Sequence, residues 1–321
     1  MSGAPRVAIL GYGNQGAAQA HCLRASGWTV LVGVRPGASA DRARADEFDV
    51  RPPAEAAAAA EFVAPLVPDQ VFPTLYRDAI AGALRPGSIL VFAHGFSILY
   101  GKNTWKPDLD VVLVSPTAPG RVLAQEFDAG RGVPAYLAVA VDPSGRGWVR
   151  AETYATGLGS HRAQLLRTSV EEEVIVDLFG EQTVLVGGLM ELVSNAVDVL
   201  VRAGYSPAMA YLECAHQLKY MADLLHQEGP RGFTRGISGT AMFGGLTRGP
   251  RIVGEQARRR MEEILAELRD GRFARELASD QAAGGTQLWN LTSQMDAGRW
   301  GRLQSAHDQA LSPGSKPGQP R

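Results

Sequence analysis

Cysteine is scarce in this 321-residue sequence, which contains only Cys22 and Cys214. Neither belongs to a CxxC pair or to a Cys/His spacing typical of zinc, so a disulfide framework and a thiolate metal site are excluded. An excess of charge is also missing, because 32 basic and 33 acidic residues leave a net charge of −1. Without a basic surface we expect neither nucleic acid nor an anionic membrane as a partner.

Long apolar runs are absent as well. No uninterrupted run approaches the ~20 residues of a membrane span, and no basic region followed by an apolar one opens the sequence as in a signal peptide. We therefore expect a cytoplasmic protein without a membrane partner. The composition is globular, and the length exceeds the roughly 250 residues at which a single core stops growing, which predicts two domains.

The two predicted domains differ in their apolar patterns. Short apolar runs alternate with helical stretches in residues 1–168, which predicts a doubly wound parallel sheet with helices on both faces. Residues 169–311 are periodic over long stretches and predict an all-helical domain, while the Pro/Gly/Ser-rich residues 312–321 predict a disordered tail. The predicted strands are 7–10, 30–34, 62–67, 89–93, 111–115 and 135–141.

A glycine-rich turn follows the first predicted strand and opens a helix, as in the GxGxxG fingerprint of a Rossmann dinucleotide-binding domain. Its first glycine permits a tight turn, its second lets the backbone approach a diphosphate, and its third lets helix pack on strand. Backbone N–H groups at the start of the helix would hold the phosphates. The predicted cofactor-binding residues here are Gly11, Tyr12, Gly13, Asn14, Gln15 and Gly16.

The second predicted strand ends at Arg35, where an NAD site usually carries an acidic residue for the ribose 2′-hydroxyl. A guanidinium suits a 2′-phosphate, and Ser39 offers a hydroxyl contact, whereas Asp41 nearby opposes an anion. The sequence favours NADP(H) over NAD(H) and leaves the choice between them open.

Four motifs together resemble the ordered signatures of short-chain (class I) ketol-acid reductoisomerases: Leu10–Gly16, Phe92–Phe96, Asp177–Gln182 and Ala210–His216. The resemblance implies a Rossmann domain that binds NADPH and a knotted helical domain that supplies two Mg²⁺ sites at a dimer interface. In that family the metals drive an alkyl migration in an acetohydroxyacid, and NADPH reduces the resulting ketone. The implied partners are a small-molecule substrate and further copies of the chain, as a homodimer or larger homo-oligomer.

Asp177 and Glu181 lie four residues apart on a predicted helix, so both carboxylates project from one face and suit a hard cation. The resemblance assigns them to the first metal site and Glu213 to the second, where the partner subunit would supply it. The sequence departs from the family at Gln217, where glutamate is expected. Because Mg²⁺ selects carboxylate through its charge, we expect at most one bound Mg²⁺.

Two further segments depart from the family pattern. Residues 115–121 resemble its Pro-Lys-Gly-Pro-Gly-His loop and keep Gly120, a predicted cofactor-binding residue, but carry Thr117 for the lysine and Arg121 for the histidine. Residues 236–243 keep Ser238, which the resemblance makes a substrate contact, but replace acidic neighbours with Gly239 and Met242.

His94 stands where the family places a histidine near the nicotinamide and the substrate, so it is a candidate acid or hydrogen-bond donor and a cofactor contact. The predicted catalytic residues are thus His94, Asp177, Glu181, Glu213 and Ser238.

Three functional hypotheses follow. The first is an NAD(P)H-dependent oxidoreductase that has diverged from ketol-acid reductoisomerases and reduces a carbonyl or imine in a specialised pathway, because hydride transfer needs fewer metal ligands than isomerisation. The second is a genuine Mg²⁺-dependent ketol-acid reductoisomerase of branched-chain amino acid biosynthesis that tolerates Gln217 and Thr117. The third is a non-catalytic homologue, or one for which the dinucleotide is the substrate.

Overall fold

A computed structural model describes residues 3–101 and 103–311, except for the side chain of Asp296. The chain divides into two units, of which the first ends at Val176 and the second begins at Asp177. The predicted domain boundary at residue 168 precedes this division. The predicted disordered tail at 312–321 lies outside the described residues.

The first unit contains an eight-stranded sheet in the order β3-β2-β1-β4-β5-β6-β7-β8. All its neighbouring strands pair in parallel except β6 and β7. The central strands are rich in valine, leucine and isoleucine, which suits strands that are buried on both faces. The strands are β1 (Arg6–Leu10), β2 (Thr29–Gly33), β3 (Asp49–Arg51), β4 (Phe62–Pro65), β5 (Ile89–Phe92), β6 (Asp110–Pro116), β7 (Ala135–Val141) and β8 (Leu165–Arg167).

All six predicted strands are present, with bounds that differ by at most a few residues. The three-residue strands β3 and β8 were not predicted, because they are too short for an apolar pattern. The predicted doubly wound parallel sheet is confirmed with one departure, because β7 runs antiparallel to β6 with Ala135 opposite Pro116. The chain returns to the end of β6 before β7 begins, where Thr117 N donates to the carbonyl oxygen of Pro134 at 2.9 Å.

Helices cover both faces of this sheet, as predicted for a doubly wound fold. Alternate residues of β1 enter two hydrophobic clusters, Val7 and Ile9 on one face and Ala8 and Leu10 on the other. A π-helical turn at Tyr76–Ile80 and a 3₁₀ turn at Ser160–Arg162 complete the unit. Its helices are α1 (Asn14–Ala25), α2 (Ala38–Ala45), α3 (Pro53–Ala59), α4 (Phe72–Leu75), α5 (Phe96–Leu99), α6 (Gly120–Asp128) and α7 (Gly147–Gly157).

The second unit is helical, as predicted, and α8 (Val170–Gly180) leads into it. Its small core joins α9, α10 and α16, where Arg302 Nε also donates to Asp198 Oδ1 at 2.8 Å. Two π-helical turns, Glu181–Leu185 and Leu212–His216, interrupt the helices. The remaining helices are α9 (Gly187–Arg202), α10 (Pro207–Tyr211), α11 (Leu218–Arg235), α12 (Gly239–Ile252), α13 (Glu255–Arg269), α14 (Arg272–Ala282), α15 (Thr286–Ala297) and α16 (Arg299–Leu311).

One helical stretch, Val170–Arg202, is long and apolar enough by length and composition to cross a membrane, with a mean hydropathy of 1.8 over 18 residues. The expectation that no stretch approaches a membrane span is therefore wrong by this criterion, because it counted only uninterrupted apolar runs. Only 17% of that window is buried within the chain. Helices that pack against another protein surface share this composition.

A buried ion pair fixes one end of the sheet. Arg150 Nη1 donates to Asp110 Oδ2 at 2.7 Å, and the two side chains are 4% and 1% exposed. Arg150 Nη2 also donates to Glu61 Oε1 at 3.1 Å and to the carbonyl oxygen of Gly87 at 3.0 Å. One guanidinium from α7 therefore holds groups that precede or begin three successive strands, β4, β5 and β6.

Replacing Arg150 by alanine should lower the free energy of unfolding by about 3 to 5 kcal/mol, because Asp110 would remain as a buried carboxylate without its cation. The measurement is urea unfolding followed by circular dichroism. The control is Arg146→Ala, at an exposed position on the same loop and helix, which should change stability by less than about 0.5 kcal/mol. Equal effects of the two changes would contradict this assignment.

Candidate active site

The glycine-rich turn lies at the carboxyl end of β1, between β2 and β4. Gly11 has a φ of +104°, which glycine adopts far more readily than other residues. Its N–H donates to the carbonyl oxygen of Gly33 at 3.1 Å. A Cβ on Gly11 would lie 2.4 Å from the carbonyl oxygen of Leu66, so a side chain is excluded by contact as well as by conformation.

The other two glycines of the fingerprint differ from each other. A Cβ on Gly16 would lie 2.3 Å from the carbonyl oxygen of Gly11, so this position needs glycine for the packing of α1. Gly13 is the N-cap of α1 and a Cβ there would meet nothing within 4 Å. Because the first turn of α1 also contains no acidic residue, its backbone N–H groups and open approach fit a phosphate group.

The side chain of Tyr12 turns away from this opening. Its hydroxyl donates to Asp46 Oδ2 at 2.6 Å, and burial together with this bond raises the pKa of Tyr12. Arg42 Nη2 donates both to the carbonyl oxygen of Tyr12 and to Ser39 Oγ, each at 3.1 Å. The segment after β2 is therefore tied to the glycine-rich turn by Arg42, which sequence reasoning missed although it lies three residues after Ser39.

Arg35 is exposed at the end of β2, as the sequence predicted. Asp41, whose negative charge was expected to disfavour a 2′-phosphate, accepts a hydrogen bond from Arg44 Nη1 at 3.1 Å. Its charge is thus partly offset by a neighbour one helical turn away. Residues 35–44 thus contain three arginines, at 35, 42 and 44, and one acidic residue, Asp41.

Gln15 connects the glycine-rich turn to the segment after β6. Tyr154 Oη donates to Gln19 Oε1 at 2.8 Å, Gln19 Nε2 donates to Gln15 Oε1 at 3.2 Å, and Gln15 Nε2 donates to the carbonyl oxygen of Ala118 at 3.0 Å. Gln19 and Tyr154 are 1% and 0% exposed. We name these four residues the amide relay. Every donor in it has one acceptor, which fixes the rotamer of Gln15.

The first residue of α6 contacts the start of α1. A Cβ on Gly120 would lie 2.1 Å from the carbonyl oxygen of Asn14 and 3.1 Å from Gln15 N. The two helices run side by side, and His21 Nε2 lies 2.7 Å from Asp128 Oδ1 near their far ends. Thr117 and Arg121 flank Gly120 at exposed positions, and the hydroxyl of Thr117 donates to the carbonyl oxygen of Pro134 at 3.0 Å.

His94 follows β5 and is held by Glu173. His94 Nδ1 lies 3.3 Å from Glu173 Oε1, and Gly95 N donates to Glu173 Oε2 at 3.1 Å. The side chains of His94 and Glu173 are 26% and 0% exposed. Glu173 is a functional candidate that sequence reasoning missed. The signal was present, because Glu173 precedes Asp177 by four residues and so lies on the same face of α8.

Both predicted metal pairs lie at π-helical turns. Asp177 is in α8 and Glu181 begins the turn Glu181–Leu185, while Glu213 lies in the turn Leu212–His216 and Gln217 follows it. Such turns occur in many proteins at functional sites. The carboxylates of Asp177, Glu181 and Glu213 form no group of three metal ligands in the part of the chain that is described.

Gln217 contacts Glu213 directly, since its Nε2 donates to Glu213 Oε2 at 2.7 Å. A glutamate at 217 would instead place two like charges one turn apart, which is unfavourable without a cation. Ser238 is the N-cap of α12, and its Oγ accepts a hydrogen bond from Ala241 N at 3.2 Å. The hydroxyl proton of Ser238 is not used in that bond.

Two protein families match this chain, one after the other. Residues 3–164 match the family described as acetohydroxy acid isomeroreductase, NADPH-binding domain. Residues 170–302 match the ketol-acid reductoisomerase C-terminal domain. The two matches together cover most of the chain.

Several named proteins are similar to this chain over most of their own length. The ketol-acid reductoisomerase (NADP(+)) of Xanthomonas oryzae pv. oryzae is 43% identical over 281 residues, which cover 87% of this chain and 84% of that one. The enzyme of the same name from Pyrobaculum arsenaticum is 43% identical over 90% of this chain and 88% of its own. A solved NADH-preferring ketol-acid reductoisomerase from an uncultured archean superposes with a TM-score of 0.92 at 35% identity, covering 97% of this chain and 95% of the other.

The contact between Gly120 and Asn14 gives a direct test of the dinucleotide site. Gly120→Ala should raise the Kd for NADPH about tenfold or more, since the added methyl group must push α6 away from the start of α1, and overpacking of this kind costs about 1–3 kcal/mol. Fluorescence titration with NADPH measures the Kd. Gly82→Ala, where a Cβ meets nothing within 4 Å, should leave the Kd unchanged. A Gly120→Ala protein that binds NADPH normally would show that the contact is not needed.

Proposed function

The chain belongs to the ketol-acid reductoisomerase family, and from that membership we propose that it is a genuine NADPH- and Mg²⁺-dependent ketol-acid reductoisomerase. The observation that carries the proposal is the 43% identity to such enzymes over 87–90% of the chain. Loss of isomerisation would be expected to leave only the dinucleotide half well matched. Here the C-terminal half matches its family as well, over residues 170–302.

The hypothesis of a specialised reductase had rested on Gln217 and Thr117. No relative named above is a reductase of a specialised pathway, and their names support the second hypothesis. Gln217 also has a structural account that does not require lost activity. Its amide supplies a hydrogen bond to Glu213 at 2.7 Å, so Glu213 remains ordered without the charge of a second glutamate.

We assign Mg²⁺ to the carboxylates of Asp177, Glu181 and, from a partner subunit, Glu213. Carboxylate oxygens are the ligands that Mg²⁺ prefers, so the donor set fits the ion. When bound, Mg²⁺ supplies a Lewis acid that polarises the oxygens of the substrate. A homodimer is part of this proposal, because the resemblance to the family places Glu213 on the partner subunit. The amide of Gln217 orients Glu213 and lowers the number of charges at the second position from two to one.

NADPH is the proposed cofactor rather than NADH, and its hydride is the reductant. Arg35, Arg42 and Ser39 supply two cations and a hydroxyl at the end of β2, where the ribose of a bound dinucleotide lies in this fold. The backbone of the glycine-rich turn and the start of α1 hold the diphosphate. The preference is a matter of degree within the family, since the archaeal relative is described as NADH-preferring.

His94 is proposed to donate a hydrogen bond to the reacting oxygen or to move a proton there. Glu173 acts as its positioning residue, because the carboxylate fixes both the imidazole through Nδ1 and the turn through Gly95 N. Ser238 would contribute its hydroxyl proton to a substrate oxygen while its own oxygen caps α12.

Purified protein should oxidise NADPH in the presence of 2-acetolactate, and the reaction should require Mg²⁺. The same protein should also turn over a 3-hydroxy-2-keto acid, which bypasses the isomerisation. Absorbance at the NADPH band measures both rates, and EDTA-treated protein without added metal is the control. Turnover of the ketoacid without any turnover of acetolactate would contradict the proposal and favour the diverged reductase. Silence with both substrates would favour the non-catalytic hypothesis.

Restoring the family residue with Gln217→Glu should change kcat for acetolactate less than about threefold, equivalent to roughly 0.6 kcal/mol. The reason is that the hydrogen bond of Gln217 already holds Glu213 in place. Steady-state kinetics at saturating Mg²⁺ provide the measurement, and Gln217→Ala, which removes the hydrogen bond, is the matched comparison. A gain of an order of magnitude in Gln217→Glu would mean that the natural residue impairs isomerisation.

A further inference from the structure

We propose that Arg121 binds the diphosphate of the dinucleotide and supplies a cation that the family pattern does not place there. This inference rests on the proposed function, because it requires the dinucleotide at the glycine-rich turn. Arg121 is a departure of this chain from the family pattern, which has histidine at this position and lysine at 117.

The position of Arg121 relative to the glycine-rich turn carries the argument. Gly120 approaches the first residue of α1 so closely that a Cβ would lie 2.1 Å from the carbonyl oxygen of Asn14. Arg121 is the next residue, in the first turn of α6, and is exposed. The backbone of Arg121 is therefore adjacent to the residue that approaches Asn14, so the N-terminus of α1 lies within the reach of an arginine side chain at 121.

The amide relay makes this placement rigid. Gln15 belongs to the glycine-rich turn and donates to the carbonyl oxygen of Ala118 at 3.0 Å, while the buried side chains of Gln19 and Tyr154 fix its orientation. The segment that carries Arg121 is thus bonded to the segment that would carry the phosphates. The backbone that carries the Arg121 cation is therefore held at a fixed position relative to the start of α1.

The local electrostatics favour an anion. The first turns of α1 and α6 contain no acidic residue, so two helix N-termini with partial positive charge lie together. A cation in the first turn of a helix is unfavourable next to that dipole. The positive charge of Arg121 is therefore unfavourable beside the two helix N-termini. A bound dianion such as a diphosphate would attract both the guanidinium and the helix N-termini, which makes the same arrangement favourable.

Thr117 does not provide an alternative cation or donor at this place. Its backbone N–H and its hydroxyl both donate to the carbonyl oxygen of Pro134, at 2.9 and 3.0 Å. The residue that stands for the family's lysine is therefore bound to the start of β7. Of the two changed positions in this segment, only Arg121 brings a positive charge.

The experiment measures Kd values by fluorescence or calorimetric titration of the full chain with two probes. NADPH contains the diphosphate, whereas adenosine 2′-monophosphate carries the 2′-phosphate without either phosphate of the diphosphate. Arg121→Gln should weaken NADPH about ten- to hundredfold, the range for a lost hydrogen bond to a charged group, and should change the binding of the monophosphate less than twofold. Arg121→Lys, which keeps the charge but not the fork of donors, should lie between wild type and Arg121→Gln. The control Arg85→Gln, at an exposed position before β5, should change neither Kd.

Three results would overturn the inference. Unchanged NADPH binding in Arg121→Gln, or equal weakening of both probes, would show that Arg121 does not contact the diphosphate. A raised KM for acetolactate with an unchanged Kd for NADPH would assign Arg121 to the substrate carboxylate instead. Failure of the wild-type protein to bind NADPH would overturn the proposed function itself, and is distinguished from those three results by the wild-type titration.

Discussion

Three close approaches of a glycine to a carbonyl oxygen determine how the elements around the glycine-rich turn pack. Gly11 faces the oxygen of Leu66, Gly16 faces the oxygen of Gly11, and Gly120 faces the oxygen of Asn14, so closely that a Cβ would lie between 2.1 and 2.4 Å from each oxygen. They link β1, the segment after β4, α1 and α6 in one continuous series. Side chains elsewhere in the sheet can be exchanged for others of similar volume, but these three positions have no room for one.

The sequence predicted the parts of this packing that are local in the chain better than the parts that depend on contacts between distant segments. The spacing of Gly11, Gly13 and Gly16 repeats a local geometry, because turn and helix are consecutive in the chain, and it could be recognised without any tertiary information. Gly120 is 104 residues after Gly16 and its contact with Asn14 depends on the packing of α6 on α1. Only the resemblance of residues 115–121 to a family loop placed it at the cofactor. Arg42 and the amide relay had neither kind of signal, since the bonds from Arg42 to Tyr12, from Tyr154 to Gln19 and from Gln15 to Ala118 join residues that are distant in the sequence.

Glu173 illustrates the same limit for the catalytic candidates. It is the last of three consecutive glutamates, and composition gives no reason to separate it from Glu171 and Glu172, which are exposed. The structure separates it through burial, because Gly95 and the ring of His94 occupy its two oxygens. The spacing argument succeeded for Asp177 and Glu181 as residues of one helical region, but it assumed a regular α-helix. The π-helical turns at Glu181–Leu185 and Leu212–His216 replace i→i+4 bonds with i→i+5 bonds, and apolar periodicity does not reveal them.

The departures at Thr117, Arg121 and Gln217 form a consistent set when their charges are considered together. Relative to the family pattern, Thr117 removes one positive charge, Gln217 removes one negative charge, and Arg121 adds one positive charge. A site that binds an anionic substrate, a divalent cation and a dinucleotide depends on the balance of charge within low-dielectric surroundings more than on any single ionic group. Gln217 compensates its own change through the hydrogen bond to Glu213, and Arg121 supplies a cation four residues after the position of the lost lysine. Relative to the family pattern, the three substitutions together add one net positive charge, while the carboxylates at 177, 181 and 213 are kept.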